Sequence, residues 1–469
     1  MPEQSKIRIG PTGLFAAFMF LQLTVLWMGN HAGEGVLLSA AQRENVYYVL
    51  QIFVIPGFLS YAAVRRFIRN ARTRRVFALC AVAVLLAGSG VLLFAQRTPF
   101  YLFAAYVTVF CLGYLGGAVY ARMGEAAATG EHIARSMGIG CAAGIALQFF
   151  LQLQWGVTPL LPVCMLAALA LLTLGLLRPA EEPERAEPPP EPVRPRRLLF
   201  AVLIAAALIL CTGFYNGYIH HMQVLSGYTD YNVYSWPRLV LIPCYLLFAA
   251  IGDRREGRLV PVAALCVGLV TVLNSVLTGF SGTYRLNMCL FYCAIASSVA
   301  YYDLTFWRLA QRTGHPALWA SMGRVLDSAM VLLSGALHIS SLPVAAVQGL
   351  NVAGFAAVIV LMTAGGDFNL AAAPAPETAA EAPEPAAPAP LSAEGALERM
   401  RDRYALTARE AEVLRELVLT EDKQTAIGER LSIQVKTLQK HVTRLYQKTG
   451  ATTRSGLTEL YHKTLSGAE

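Results

Sequence analysis

The stretch Leu406–Gly450, LTAREAEVLRELVLTEDKQTAIGERLSIQVKTLQKHVTRLYQKTG, decides how the C-terminal part of the chain folds. Thr407-Ala408-Arg409-Glu410 reads as a capping box, a hydroxyl taking a free amide while the carboxylate three residues on reaches back. Val413, Leu414, Leu417 and Val418 then form one apolar helical face. A short second helix carries Ile427 and Leu431 one turn apart. The third holds Val435, Leu438, Val442 and Leu445, spaced 3, 4 and 3, which is a buried stripe. Its other side presents Lys436, Lys440, Arg444 and Lys448 at steps of four. Four residues overshoot one turn by about 40°, so these cations form a slanted ridge that suits the edge of a groove.

Charge sharpens this. From Arg430 to Lys463 there are seven Lys+Arg and one acid, Glu459, whereas acids dominate earlier in the module. Such polarity gives the third helix a positive face. The module holds none of the nine cysteines, which suits a reducing compartment.

These residues resemble the LuxR-type helix-turn-helix family. The family's opening L-T-x-R-E-x-E-V-L is matched by Leu406-Thr407-Ala408-Arg409-Glu410-Ala411-Glu412-Val413-Leu414. Its centre is matched at Ile427, Leu431, Ile433, Thr437, His441 and Val442, and its tail at Lys448 and Arg454. Four positions depart: Gly428 for alanine, Gln434 for the serine that caps the third helix, Glu421 for a turn glycine, and Leu438 for valine. The resemblance implies that the third helix enters the major groove of double-stranded DNA. Gln439, Lys440 and Thr443 would then face base edges, and Lys436, Thr437, Arg444 and Lys448 would lie nearer phosphates. Gln and Lys can bond adenine and guanine edges. His441 would orient the helix packing or a phosphate. The alternative for each is a solvated helix face. A fourth helix with Leu457, Leu460, Tyr461 and Leu465 resembles the family's dimerisation helix, which implies a homodimer on a two-fold operator.

Upstream lies Ala371–Pro390, almost all Ala, Pro and Glu. Proline at this density favours extended conformers. Residues 371–401 are expected to be a flexible linker, of which Ala371–Pro390 alone would reach about 60 Å if extended, ahead of the DNA-binding domain at 402–469.

Residues 1–370 are of another kind. The chain is 55% hydrophobic and 14% charged, far from a soluble composition. Met1–Leu370 holds 25 Lys+Arg, of which only Lys6 is a lysine. Apolar runs long enough to cross a bilayer recur. They fall near 12–30, 45–64, 76–95, 99–120, 136–153, 156–177, 198–218, 233–252, 259–279, 284–303, 318–338 and 342–363. The first run lacks a small-residue cleavage site and reads as retained. The fold class is therefore all-α: a polytopic bundle of about 12 spans, a linker and a small four-helix domain.

Orientation follows from charge. Alternate loops hold Arg65, Arg66, Arg69, Arg72, Arg74 and Arg75, then Arg122 and Arg135, then Arg178, Arg185, Arg194, Arg196 and Arg197. The series continues with Arg254, Arg255, Arg258, Arg308 and Arg312. The other loops hold only Arg43, Arg97 and Arg285. This asymmetry puts both termini in the cytoplasm and the bundle in the inner membrane. Most of the net charge of +8 is thereby accounted for at the lipid surface.

The polar, proline-rich Arg178–Arg197 divides the spans six and six. Gly252-Asp253-Arg254-Arg255-Glu256-Gly257-Arg258 follows span eight and resembles the short loop signature of the major facilitator family. At the equivalent place after span two, Arg65–Arg75 lacks the acid and the glycines. The resemblance implies two repeated halves with a ligand site between them.

Ionisable groups inside spans are costly and informative. Arg324 and Asp327 stand one turn apart in span eleven, either as a structural ion pair or as part of a ligand pocket. Arg238 in span eight joins them as a candidate ligand residue, or snorkels to the surface. Asp303 reads as interfacial, and His220, His221, Asp230 and Glu34 as residues of loops. Asn274, Asn216 and Gln148 read as interhelical hydrogen bonding, and Gly113, Gly116, Gly117, Gly140 and Gly144 as close helix packing. The cysteines read as small buried apolar residues. There is no nucleotide loop, no serine-hydrolase elbow and no metal-ligand spacing, so neither an enzyme nor a cofactor or metal is expected.

The expectation is a bacterial one-component transcriptional regulator, reading DNA in response to a small-molecule ligand sensed by the bundle. The alternatives are a transporter with an accessory DNA-binding domain, and a scaffold holding DNA at the membrane. Few acids in the spans argue against a proton relay.

Overall fold

A computed structural model describes residues 10–35, 40–94, 100–129, 132–155, 157–177, 192–225, 234–257, 259–277, 284–365, 392–420 and 422–465. Two compact units divide at Ala373 and Pro374. Glu421, Arg97, Arg178, Arg185, Asp230, Arg258 and residues 371–391 lie outside the described residues, as do the side chains of Asn30, His31, Glu34, Arg43, Arg255 and Glu256.

Among the described residues the first unit is a bundle of twelve α-helices. Its first half comprises α1 (Pro11–Gly35), α2 (Ala40–Phe67), α3 (Ala71–Phe94), α4 (Phe100–Ala128), α5 (Ile133–Leu153) and α6 (Leu160–Leu177). Its second comprises α7 (Pro195–Leu225), α8 (Leu241–Gly252), α9 (Leu259–Leu277), α10 (Tyr284–Ala310), α11 (Pro316–Ala336) and α12 (Val344–Ala364). Helices follow from the apolar composition, because lipid offers backbone groups no partner outside the segment. Among the described residues eleven helices are long and apolar enough to cross a membrane, and the eighth segment is shorter, Trp236–Gly252. It opens as a 3-10 turn, Trp236–Val240, with Pro237 at its start where no amide is needed.

Bulky apolar side chains stand exposed along many helices, among them Phe77 on α3, Val163 on α6, Leu273 on α9 and Val360 on α12. Helices α1, α4 and α10 are instead largely buried. Glycines set the close crossings. A Cβ on Gly113 would lie 2.9 Å from the Gly57 Cα, so α2 and α4 touch through backbone. Gly140 and Gly144 give α1 the same access to α5. Gly138 lies against the Tyr245 carbonyl and joins α5 to α8 across the halves.

One end of this bundle collects the arginine-rich loops. Arg65 pairs with Glu125 at 2.9 Å, and Val193 donates to the Arg312 carbonyl at 3.0 Å. Arg308 reaches the Gly252 carbonyl at 2.7 Å. Asp253 accepts the amides of Ala134 and Arg135 at 2.9 Å each, so a loop of the second half caps the start of α5 in the first.

Two positions differ from the sequence reading. His220 and His221 lie inside α7, because the helix continues well past the expected end of the span. Asp303 is buried rather than interfacial, because α10 continues through Phe306, Trp307 and Leu309 to Ala310.

Among the described residues the second unit has five helices: α13 (Ala393–Arg403), α14 (Ala408–Leu419), α15 (Gln424–Arg430), α16 (Val435–Thr449) and α17 (Arg454–Leu465). Four were expected; α13 falls within the stretch read as linker. Ser392 caps it, accepting the Gly395 amide at 3.1 Å. Ala396 and Met400, one turn apart, enter the core with Leu414, Ile427, Leu438, Leu445, Leu457 and Tyr461.

Candidate nucleic-acid interface and buried charges of the bundle

The capping box at Thr407 is complete. The Glu410 amide donates to the Thr407 hydroxyl at 3.3 Å, and the Thr407 amide donates to the Glu410 carboxylate at 2.9 Å. Glu410 is buried and also accepts Lys448 Nζ at 2.7 Å. The ammonium, with the Thr407 amide behind it, pulls this carboxyl down to about 2. Lys448 also donates to the Ala405 carbonyl at 3.0 Å. Lys448, expected near phosphates, is exposed, and its ammonium ties α16 to the start of α14.

Other cations are committed in the same way. Arg430 pairs with Glu416 at 3.0 Å and with Asp422. Arg454 donates to the carbonyls of Leu417 at 2.9 Å, Asp422 at 2.7 Å and Thr420, closing the end of α14. Lys463 pairs with Glu459 at 2.8 Å. What remains is Lys436, Lys440 and Arg444, all exposed on α16 and without a protein partner among the described residues. Thr437, Gln439 and Thr443 are exposed on the same helix. Gln439 lies 3.5 Å from Gln424, and the Thr443 hydroxyl donates back to the Gln439 carbonyl at 2.9 Å. His441 is half-buried, and its Nδ1 is buried without a partner, which sets it apart from the exposed ridge.

The departures from the family pattern have visible consequences. Gln434 is the residue before α16, and its side chain makes no capping bond. Gly428 is buried, and a Cβ there would lie 3.0 Å from the Ile433 carbonyl. Gly450 ends α16 with φ +75°, a conformation that glycine adopts without strain. On α17, Leu457 and Tyr461 pack inward against the core that α13 completes. That leaves Ser455, Glu459, His462 and Lys463 on its exposed side.

Within the bundle, Arg324 and Asp327 pair at 3.2 Å, and Arg324 also donates to the Tyr302 hydroxyl at 3.1 Å. Nearby, Asp303 accepts the Tyr120 hydroxyl at 3.0 Å, while its Oδ1 is buried without a partner. Tyr120 packs among Phe15, Phe18, Phe58 and Trp307, with ring centroids 5.2–6.0 Å away. This knot draws on α1, α2, α4 and α10, so both halves contribute. Arg238 lies apart from the pair, in the 3-10 turn before α8, with its guanidinium 5.2 Å from the Tyr234 ring centroid. Tyr47 of α2 relates the two, with Tyr234 and Asp327 both among its electrostatic neighbours. Ser328 donates to Gln51 at 2.9 Å beside it.

Asn274 bonds Tyr215 at 2.9 Å and Asn287 at 2.5 Å, joining α7, α9 and α10. The sequence reading missed Tyr120 and the burial of Asp303. The apolar Phe306 and Trp307 beyond Asp303 were the available signal. It also missed the approach of Cys244 and Cys293, whose sulfurs lie 3.5 Å apart between α8 and α10; nothing in their sequence spacing marks it.

Comparison with known proteins bears on each unit separately. Residues 404–461 match the family of bacterial regulatory proteins, luxR family. The C-terminal module is a LuxR-type helix-turn-helix domain. A search of curated proteins finds no match. Among solved structures, the chain is similar to the human organic anion transporter MFSD10 (TETRAN), at 14% identity and a TM-score of 0.49. That match covers 77% of this chain and 97% of the other. It is also similar to FucP, a major facilitator superfamily transporter in the outward conformation. There the identity is 11% and the TM-score 0.45, over 76% of this chain and 99% of the other.

Proposed function

We propose that this chain is a membrane-embedded one-component transcriptional regulator. The observation that carries the reading is the ridge Lys436, Lys440 and Arg444 on α16. These are the cations of that helix that pair with no acid or carbonyl among the described residues. Three exposed cations rising in steps of four would lie along a phosphate backbone, with Gln439 and Thr443 beside them for base edges. Thr437 and His441 flank this set, His441 as a packing residue. Two copies would read a two-fold operator through the exposed side of α17.

The arginine-rich end of the bundle faces the cytoplasm of a bacterial inner membrane in this reading, by the positive-inside rule. Both termini then lie on the side of the chromosome. The bundle is the sensory half, and Arg238, Arg324 and Asp327 are its candidate ligand residues. A small molecule bound there shifts how the DNA-binding module is presented, by favouring one arrangement of the two halves.

The test is DNA binding by purified full-length protein. Lys440→Ala with Arg444→Ala is expected to weaken binding about tenfold or more at moderate salt. Equal binding by wild type and double variant would remove the DNA reading. Uptake of a solute by proteoliposomes, retained after removal of residues 392–469, would instead favour a transporter with an accessory module.

A further inference from the structure

Arg324 and Arg238 both lie within the bundle but are held differently. Arg324 is half-buried and has Asp327 and the Tyr302 hydroxyl as partners, with only its Nε buried without a partner. Arg238 is only 4% exposed, and its one donated bond goes from Nη2 to the Gln148 Oε1. Its Nε and Nη1 are buried and have no partner. The neighbouring amides are already engaged with each other and the backbone. Gln148 Nε2 donates to Gln152 at 3.3 Å, and Gln152 donates to the Tyr234 carbonyl at 3.2 Å. Among the described residues no carboxylate pairs with Arg238. Its electrostatic neighbours are the phenols Tyr234 and Tyr292.

A guanidinium does not shed its proton in a protein, so it remains charged in this interior. A buried charge with two donors unmatched is costly, and the cost is removed when an anion supplies the acceptors. No second described cation neighbours Arg238, which suits a monoanion rather than a phosphate. The surroundings are aromatic: the Tyr234 ring lies against the guanidinium, Tyr292 on α10 is an electrostatic neighbour of Arg238, and Tyr47 is one of Tyr234. Tyrosine faces accept an apolar body while the arginine holds a carboxylate.

We propose that Arg238 anchors the carboxylate of a small organic acid with an apolar or aromatic body. The proposal rests on the bundle being the sensory half of the chain. It makes a prediction about the empty protein as well as the filled one. An arginine kept for a ligand destabilises the ligand-free state, whereas one kept for structure stabilises it.

The experiment uses purified full-length protein and follows thermal unfolding with sodium benzoate, neutral benzamide and inorganic phosphate as probes. Benzoate is expected to raise the midpoint, and benzamide and phosphate to leave it in place. Arg238→Met is expected to unfold at a higher temperature than wild type without ligand, and to lose the benzoate effect through an affinity lower by about tenfold or more. A lower midpoint for ligand-free Arg238→Met overturns the proposal. So does a benzoate effect that is absent, matched by benzamide or matched by phosphate. DNA binding by the same preparations separates the two levels. If it persists while benzoate fails, only the ligand assignment falls; if it is absent while benzoate binds, the regulatory reading falls.

Discussion

Lys448 Nζ lies 2.7 Å from the buried carboxylate of Glu410, and this pair joins the last turn of α16 to the first turn of α14. The same carboxylate accepts the Thr407 amide, so one acid serves a helix cap and an ion pair together. Replacing Lys448 by Met leaves that carboxylate with a lost partner in a buried position. The expected cost is about 1–3 kcal/mol of module stability, measured by urea unfolding of residues 392–469. The salt dependence of DNA binding by the folded fraction should not change.

The pH dependence follows from the same pair. The Glu410 carboxyl is held at about 2 in the folded module, against 4.5 as its ordinary value. A depressed carboxyl contributes stability that is fully present above its unfolded value and is lost as pH falls through the folded one. Wild-type stability should therefore decline between about pH 4.5 and pH 2. Glu410→Gln should remove most of that decline. An equal decline in Glu410→Gln would assign it to other acids.

Gln434 provides a gain-of-stability prediction. It stands at the N-cap of α16 with extended backbone angles and no side-chain cap bond. Gln434→Ser offers a short hydroxyl at that place and should stabilise the module by about 0.5–1 kcal/mol. Urea midpoints of the two forms decide it, and an unchanged or lower midpoint counts against it.

At the arginine-rich end of the bundle, Asp253 caps α5 from the opposite half, at 2.9 Å from each of two amides. Asp253→Ala exposes both amides and should cost about 0.5–2 kcal/mol. In detergent, its thermal midpoint should fall, and that of Asp253→Asn should fall less, because an amide oxygen still accepts one bond.

Asp327 and Asp303 should respond unequally to neutralisation. Asp327→Asn leaves the half-buried Arg324 without its counter-charge and should lower the thermal midpoint. Asp303→Asn keeps an acceptor for Tyr120 and relieves a buried carboxylate whose Oδ1 is unpartnered. Its midpoint should stay level or rise.

Much of this architecture was legible because it rests on periodicity and on charge. The stripe Leu438, Val442 and Leu445 is the core face of α16, and the Thr407–Glu410 box forms as its spacing implies. The glycines Gly113, Gly140 and Gly144 sit at backbone crossings, as small residues in packed membrane helices should. The illegible parts depend on distant pairing. Lys448 looks like a fourth rung of the ridge, since spacing along one helix cannot reveal an acid 38 residues away. Helix α13 was hidden because Ala396 and Met400 are too few to announce a face without α14 and α17 beneath them. Asp303 looked interfacial because an acid weakens the apolar signal of the helix that continues past it.

The central claim is that α16 holds DNA through Lys436, Lys440 and Arg444. The direct measurement is the salt dependence of binding by full-length protein to a random-sequence duplex, since the phosphate contribution does not depend on sequence. Replacing all three residues with Ala should reduce the slope of log K against log salt by about three, close to one for each phosphate contact removed. Lys448→Met should keep the wild-type slope. A triple variant with the wild-type slope, or a Lys448→Met slope as shallow as that of the triple variant, would contradict the account.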